Sequence, residues 1–147
     1  MLFYKTIDKS TLELLKKIQK NDLFKDLRLV GGTSLALQIG HRISVDLDLF
    51  GIIPEKKLEI TTALNTIGEV KTIHFTKNIA IYSIDGIKVD IVNYPYPWLE
   101  KEIIDDELLL ANKMDIAAMK LAAITGGGSK KDFIDISPQS LKDLKYG

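Results

Sequence analysis

The sequence predicts an α/β fold of the mixed-sheet (α+β) kind: about four to five strands flanked by helices, within one domain over residues 1–147. Three observations lead there. Helix-period and strand-period segments alternate along the chain. A central block, Val70–His74, Ile79–Ile84 and Ile87–Asn93, is rich in β-branched residues, and Asp85-Gly86 between its last two runs is a two-residue hairpin signal. Hydrophobic residues make up 46% and charged residues 27%, the proportions of a chain that buries a core and not of a disordered one.

Taken in order, Ser10 and Glu13 form a capping-box pattern ahead of Leu12, Leu15 and Ile18, which predicts a helix over Ser10–Lys20. Leu27–Val30 reads as a short strand that stops at Gly31-Gly32. Thr33 is placed to cap a second helix, through Gly40, with Leu35, Ala36 and Ile39 on its apolar side. Val45–Phe50 is a strand, after which Gly51 and Pro54 introduce a third helix through Ile67. Pro95 and Pro97 end the β-rich block, and a polar, acidic stretch follows. Asn112–Thr125 is a helix with Ile116, Met119 and Ala123 on one face, and Gly126-Gly127-Gly128 either stops it or opens a flexible loop. A last helical turn is expected over Pro138–Leu144.

Composition excludes several classes of function. The 20 basic and 20 acidic side chains cancel, so no general polyanion-binding surface is indicated, although a local basic patch is compatible. With no cysteine there are no disulfides, thiolate zinc sites or cysteine nucleophiles. MLFYKTIDKS lacks the layout of a signal peptide, and no apolar run approaches a membrane span, which leads us to expect a soluble, cytoplasmic protein.

The segment LVGGTSLALQIGHRISVDLDLFG, residues 29–51, carries the chemistry. It sets Asp46 and Asp48 inside an apolar strand, where a carboxylate is costly unless something compensates it. Side chains two apart on a strand share a face, so these two project together while Leu47 and Leu49 enter the core. Asp90, in IKVDIVN, follows the same logic between Val89 and Ile91. If the hairpin carrying Asp90 lies next to the Val45–Phe50 strand, three carboxylates converge and repel one another, and a divalent cation resolves the conflict: Mg²⁺ takes a few carboxylate oxygens together with water and substrate phosphate. Upstream, Gly31 and Gly32 permit close backbone approach, while Thr33 and Ser34 put hydroxyls at a helix N-terminus, a natural phosphate site. Singly, Gly-Gly is more often a turn and Asp-x-Asp a solvated strand face; in this order and spacing they point to a metal-bound nucleotide. His41 and Arg42, just before the aspartates, either cap the preceding helix's C-terminus or contact phosphate.

Val30-Gly31-Gly32, thirteen residues, then Asp46-Leu47-Asp48-Leu49 resembles the signature of the DNA polymerase β-like nucleotidyltransferase superfamily. More narrowly, GGTSLAL, GHRISVDLDLF, VDIV, DIAAMKLAAI and KKDFIDI, over about residues 27–136, resemble the AbiEii/AbiGii toxin family of abortive-infection and toxin–antitoxin systems. The resemblance implies a polymerase β-like core and a metal-dependent nucleotidyltransferase that uses an NTP with Mg²⁺ or Mn²⁺. By position, Gly31, Gly32, Thr33, Ser34 and Arg42 would bind the nucleotide. Asp46, Asp48 and Asp90 would bind metal and act in catalysis, Asp90 activating the acceptor hydroxyl, and Lys120 would contact the phosphates. Asp132 matches a further motif residue. On helix composition alone Lys120 is a snorkelling surface lysine, and Asp132 with Asp135 reads as a first-turn charge arrangement. The family further implies tRNA or protein as acceptor, a cognate antitoxin as partner, and no membrane. Because the chain ends at Gly147, the C-terminal helical region of longer relatives is expected to be largely absent. The alternative is a catalytically impaired module of the same fold that binds nucleotide or partner. Tyr94, Tyr96 and Trp98, interleaved with prolines, form either an exposed contact surface or a hydrophobic anchor closing the end of the sheet.

Overall fold

A computed structural model describes residues 2–40, 46–53 and 56–125. In chain order the elements are α1 (Lys9–Lys20), β1 (Arg28–Val30), α2 (Gly31–Ile39), β2 (Leu47–Gly51), α3 (Lys57–Asn65), β3 (Val70–Phe75), β4 (Ile79–Ile84), β5 (Ile87–Asn93), β6 (Ile103–Asp105), β7 (Leu108–Leu110) and α4 (Lys113–Thr125). The fold is the expected mixed α/β one, but its sheet has seven strands, in the order β3-β4-β5-β2-β1-β7-β6. β2–β5 and β1–β7 are parallel, and the other neighbours are antiparallel.

The two strands beyond the expected count lie in the acidic stretch. β6 and β7 are three residues each, joined by Asp106 and Glu107, both at positive φ (46° and 70°). That is the twist a two-residue hairpin needs, made here without the usual glycine or asparagine. Ion pairs from α1 hold the turn: Lys16 Nζ to Asp106 at 2.9 Å and Lys20 Nζ to Glu107 at 3.2 Å. Buried Gln19 fixes the strand behind it. Its amide donates to the carbonyls of Leu27 (3.1 Å) and Leu109 (2.7 Å) and accepts from Leu109 N–H.

Two helix starts differ from expectation. α1 is capped by Asp8, whose carboxylate accepts from Ser10 N–H at 3.2 Å, so the cap lies ahead of the Ser10–Glu13 box. α2 begins at Gly31, and Thr33, buried inside its first turn, donates its hydroxyl to the carbonyl of Asp46 instead of capping. α3 is shorter than the expected Gly51–Ile67 span. Val45, like His41, Arg42, Asp132, Asp135 and the Pro138–Leu144 turn, lies outside the described residues.

Alternation along the central strands sorts side chains between the two sheet faces. Leu47, Leu49, Val89, Ile91, Tyr82 and Ile84 are fully buried against Leu15 and Ile18 of α1 and Ile60 and Leu64 of α3. On the opposite face, Val30, Tyr94, Ala111, Ile116 and Met119 form a smaller cluster beside α2 and α4. The rest of that face, over β2, β5 and β4, is the floor of a groove.

Candidate active site

Strand register places the carboxylates. Asp48 is the partner of Val30 on β1 and of Asp90 on β5, and Asp90 is in turn the partner of Ile81 on β4. Directly opposed residues share a face, so Asp48 and Asp90 stand side by side above the groove floor. The next row on that face is apolar: Ile79, Val92 and Phe50. A cavity of about 850 Å³ opens over both rows, bounded also by Gly31, Gly32, Tyr94, Tyr96, Met119 and Lys120.

Gly31 makes the close approach possible. Its φ is +74°, and a Cβ there would run into the carboxylate of Asp48. Among the described residues no side chain caps the N-terminus of α2, and Gly31 and Gly32 at that end line the same cavity as the acids. Thr33 and Ser34 stand differently: both side chains are buried, Thr33 bonded to Asp46 and Ser34 Oγ accepting from Gln38 at 3.0 Å. Thr33 thereby ties the start of α2 to the approach to β2.

The electrostatics are those of a strained acidic pair. Burial, foremost, then the charge of Asp90 and a hydrogen bond to it, push the Asp48 carboxyl up to about 7; Asp46 adds slightly and Lys88 opposes. Asp90 Oδ1 is buried with no hydrogen-bond partner among the described residues. An orphaned carboxylate oxygen beside a carboxyl held near neutrality fits a divalent cation chemically. Asp46 is exposed and precedes β2, and among the described residues no three acids or histidines form a group compact enough to hold a metal. Asp48 and Asp90 thus come together, and Asp46 stays at the edge.

The far wall is aromatic. Tyr94 lies 5.6, 5.2 and 5.0 Å from Phe50, Tyr96 and Trp98, and Arg28 stacks over Trp98 at 4.6 Å. Tyr94 is 6% exposed, so the hydrophobic-anchor alternative holds. The segment that carries these rings is fastened by buried Asp115 of α4, whose carboxylate accepts from Leu99 N–H (2.7 Å) and Glu100 N–H (3.0 Å). Lys120, exposed one turn further along α4, reaches the cavity. Asp115 and Lys88 were not singled out from sequence; Lys88 could have been, being two residues before Asp90.

A mixed sheet with paired acids beneath a glycine-started helix defines a nucleotidyltransferase fold, and solved structures agree. The crystal structure of JHP933 from Helicobacter pylori superimposes with a TM-score of 0.57 at 19% identity, over 99% of this chain and 67% of that one. ANT(2″)-Ia in complex with adenylyl-2″-tobramycin gives 0.55 at 10% identity, over 92% of each chain. The chain belongs to the family described as nucleotidyl transferase AbiEii toxin, type IV toxin–antitoxin system, whose model matches residues 13–137. It is also 36% identical over 135 residues to the uncharacterized protein aq_aa25 of Aquifex aeolicus (strain VF5), spanning 88% of this chain but 65% of that protein.

Proposed function

We propose that the protein transfers the nucleoside monophosphate of an NTP to an acceptor hydroxyl, on tRNA or protein, with release of pyrophosphate. The observation that carries the reading is the Asp48–Asp90 pair, side by side on parallel strands against the glycine start of α2. Asp48 and Asp90, with Asp46 at the margin, would hold Mg²⁺ or Mn²⁺, which when bound neutralises charge on the phosphates and the attacking oxygen.

The protein's own groups do the rest. Gly31 and Gly32 let the polyphosphate approach the N–H groups of α2, whose dipole favours its charge. Thr33 and Ser34 contribute through their backbone, since their hydroxyls are engaged internally. Lys120 offers a cation from α4, and Arg42 stands in the motif just ahead of Asp46. Asp90 accepts the proton of the acceptor hydroxyl as that oxygen attacks the α-phosphorus and the bond to the leaving pyrophosphate breaks. Catalysis is positioning and charge compensation.

The family supports a toxin with a cognate antitoxin. No helix among the described residues is long and apolar enough to cross a membrane. A second reading, nucleotide or partner binding without turnover, has one observation in its favour: the exposed, marginal Asp46. Incubation with α-labelled NTPs, Mg²⁺ or Mn²⁺, and bacterial tRNA or protein extract separates the two. Label on a macromolecule, lost in Asp90→Asn, supports transfer; Mg²⁺-dependent NTP binding without label movement supports the binding module.

A further inference from the structure

One cation near the acidic pair has no part in the reading above. Lys88 stands two residues before Asp90 on β5, so both side chains leave the strand on the groove side. Its Nζ lies 3.7 Å from Asp90 Oδ2; half of the Lys88 side chain is exposed (50%), against 20% for Asp90. The ammonium therefore sits on the outer oxygen of the carboxylate whose inner oxygen, Oδ1, is buried and unpartnered.

We propose that Lys88 is a built-in counter-cation of the Asp48–Asp90 pair: it holds down the pair's affinity for a free divalent cation and turns to the polyphosphate when nucleotide enters, so that metal and nucleotide bind together. A divalent cation on Asp90 shares that carboxylate with the ammonium, and the two like charges repel. In water-like surroundings the repulsion corresponds to roughly tenfold in affinity. A lysine suits the exchange, being a hydrated point charge on a flexible stem whose loose, exposed ion pair is easily given up. A triphosphate brought to the α2 N-terminus offers it several oxygens in return. The metal half of this inference rests on geometry alone; the nucleotide half rests on the nucleotidyltransferase reading.

The test is a Mn²⁺ titration, followed by the electron paramagnetic resonance signal of free Mn²⁺. It uses metal-free wild type, Lys88→Met and Lys88→Arg, with and without a non-hydrolysable α,β-methylene NTP analogue. Without nucleotide, Lys88→Met is expected to bind Mn²⁺ about tenfold more tightly than wild type, and Lys88→Arg to match wild type. The analogue is expected to strengthen Mn²⁺ binding more in wild type than in Lys88→Met. Equal or weaker Mn²⁺ binding by Lys88→Met, or no Mn²⁺ binding by either protein, overturns the proposal. Tighter binding by Lys88→Met together with no label transfer by wild type keeps the counter-cation and removes the nucleotidyltransferase reading.

Discussion

Replacing Asp48 by asparagine is expected to stabilise the metal-free protein while abolishing transfer. The ordinary carboxyl value of 3.8 rises to about 7 at Asp48, chiefly through burial and then through Asp90. At about 1.36 kcal/mol per pH unit, the ionised form carries a penalty of about 4 kcal/mol relative to the unfolded chain. Between pH 4 and 7 the folded chain keeps a proton that the unfolded chain has released, so stability falls as pH rises through this window and the full penalty stands above pH 7. Solvent at the groove mouth, and the amide's own need for hydrogen bonds, reduce the expected gain to about 2 kcal/mol. For a chain of this size that corresponds to roughly 4–8 °C in Tm. Thermal unfolding of wild type and Asp48→Asn, in chelator, at pH 5 and pH 8, reads the effect. The variant should melt higher at pH 8, with most of the difference gone at pH 5, where wild-type Asp48 is already protonated. A variant that melts lower at both pH values would refute a strained acidic pair and leave Asp48 as an ordinary structural carboxylate.

Gly31→Ala should lose about 1–2 kcal/mol in urea unfolding, since the left-handed backbone and the collision with Asp48 both oppose a Cβ, and should weaken NTP binding measured by calorimetry. Asp115→Ala leaves two backbone N–H groups of the aromatic segment without their acceptor and should cost about 2–4 kcal/mol, with higher amide exchange at Leu99 and Glu100. Lys120→Ala should raise KM for NTP severalfold with little change in Tm, because the side chain is exposed; an unchanged KM removes it from the site. In metal-free wild type, Mn²⁺ should raise Tm more at pH 8 than at pH 5, where Asp48 is protonated.

Much of the architecture was legible because period and turn chemistry agreed. β4 and β5 fall at their expected bounds, and Asp85 and Gly86 adopt the positive φ (50° and 82°) that the dipeptide signals. β6 and β7 were not, since three-residue strands have no measurable alternation and Asp106-Glu107 is not a usual hairpin turn. Their stability comes from α1 through Gln19, Lys16 and Lys20, contacts about 90 residues apart that local pattern cannot show. At the site, strand parity put Asp48 and Asp90 each on one face of its own strand, and the pairing followed only because β2 and β5 are neighbours. It could not show that Asp46 stops short of the strand, that Thr33 and Ser34 turn inward, or that β6–β7 would extend the sheet. The first two outcomes are set by packing of the α2 start against the approach to β2, the third by the α1 contacts to β6–β7.

The most direct measurement compares α-labelled and γ-labelled NTP in the same reaction with purified protein, Mg²⁺ and a bacterial macromolecular extract, for wild type and Asp48→Asn. Nucleotidyl transfer predicts α-label on the acceptor, γ-label only in released pyrophosphate, and neither with the variant. Acceptor labelled from the γ-position, or α-label transferred equally by Asp48→Asn, would contradict the assignment of this carboxylate pair to nucleotidyl transfer.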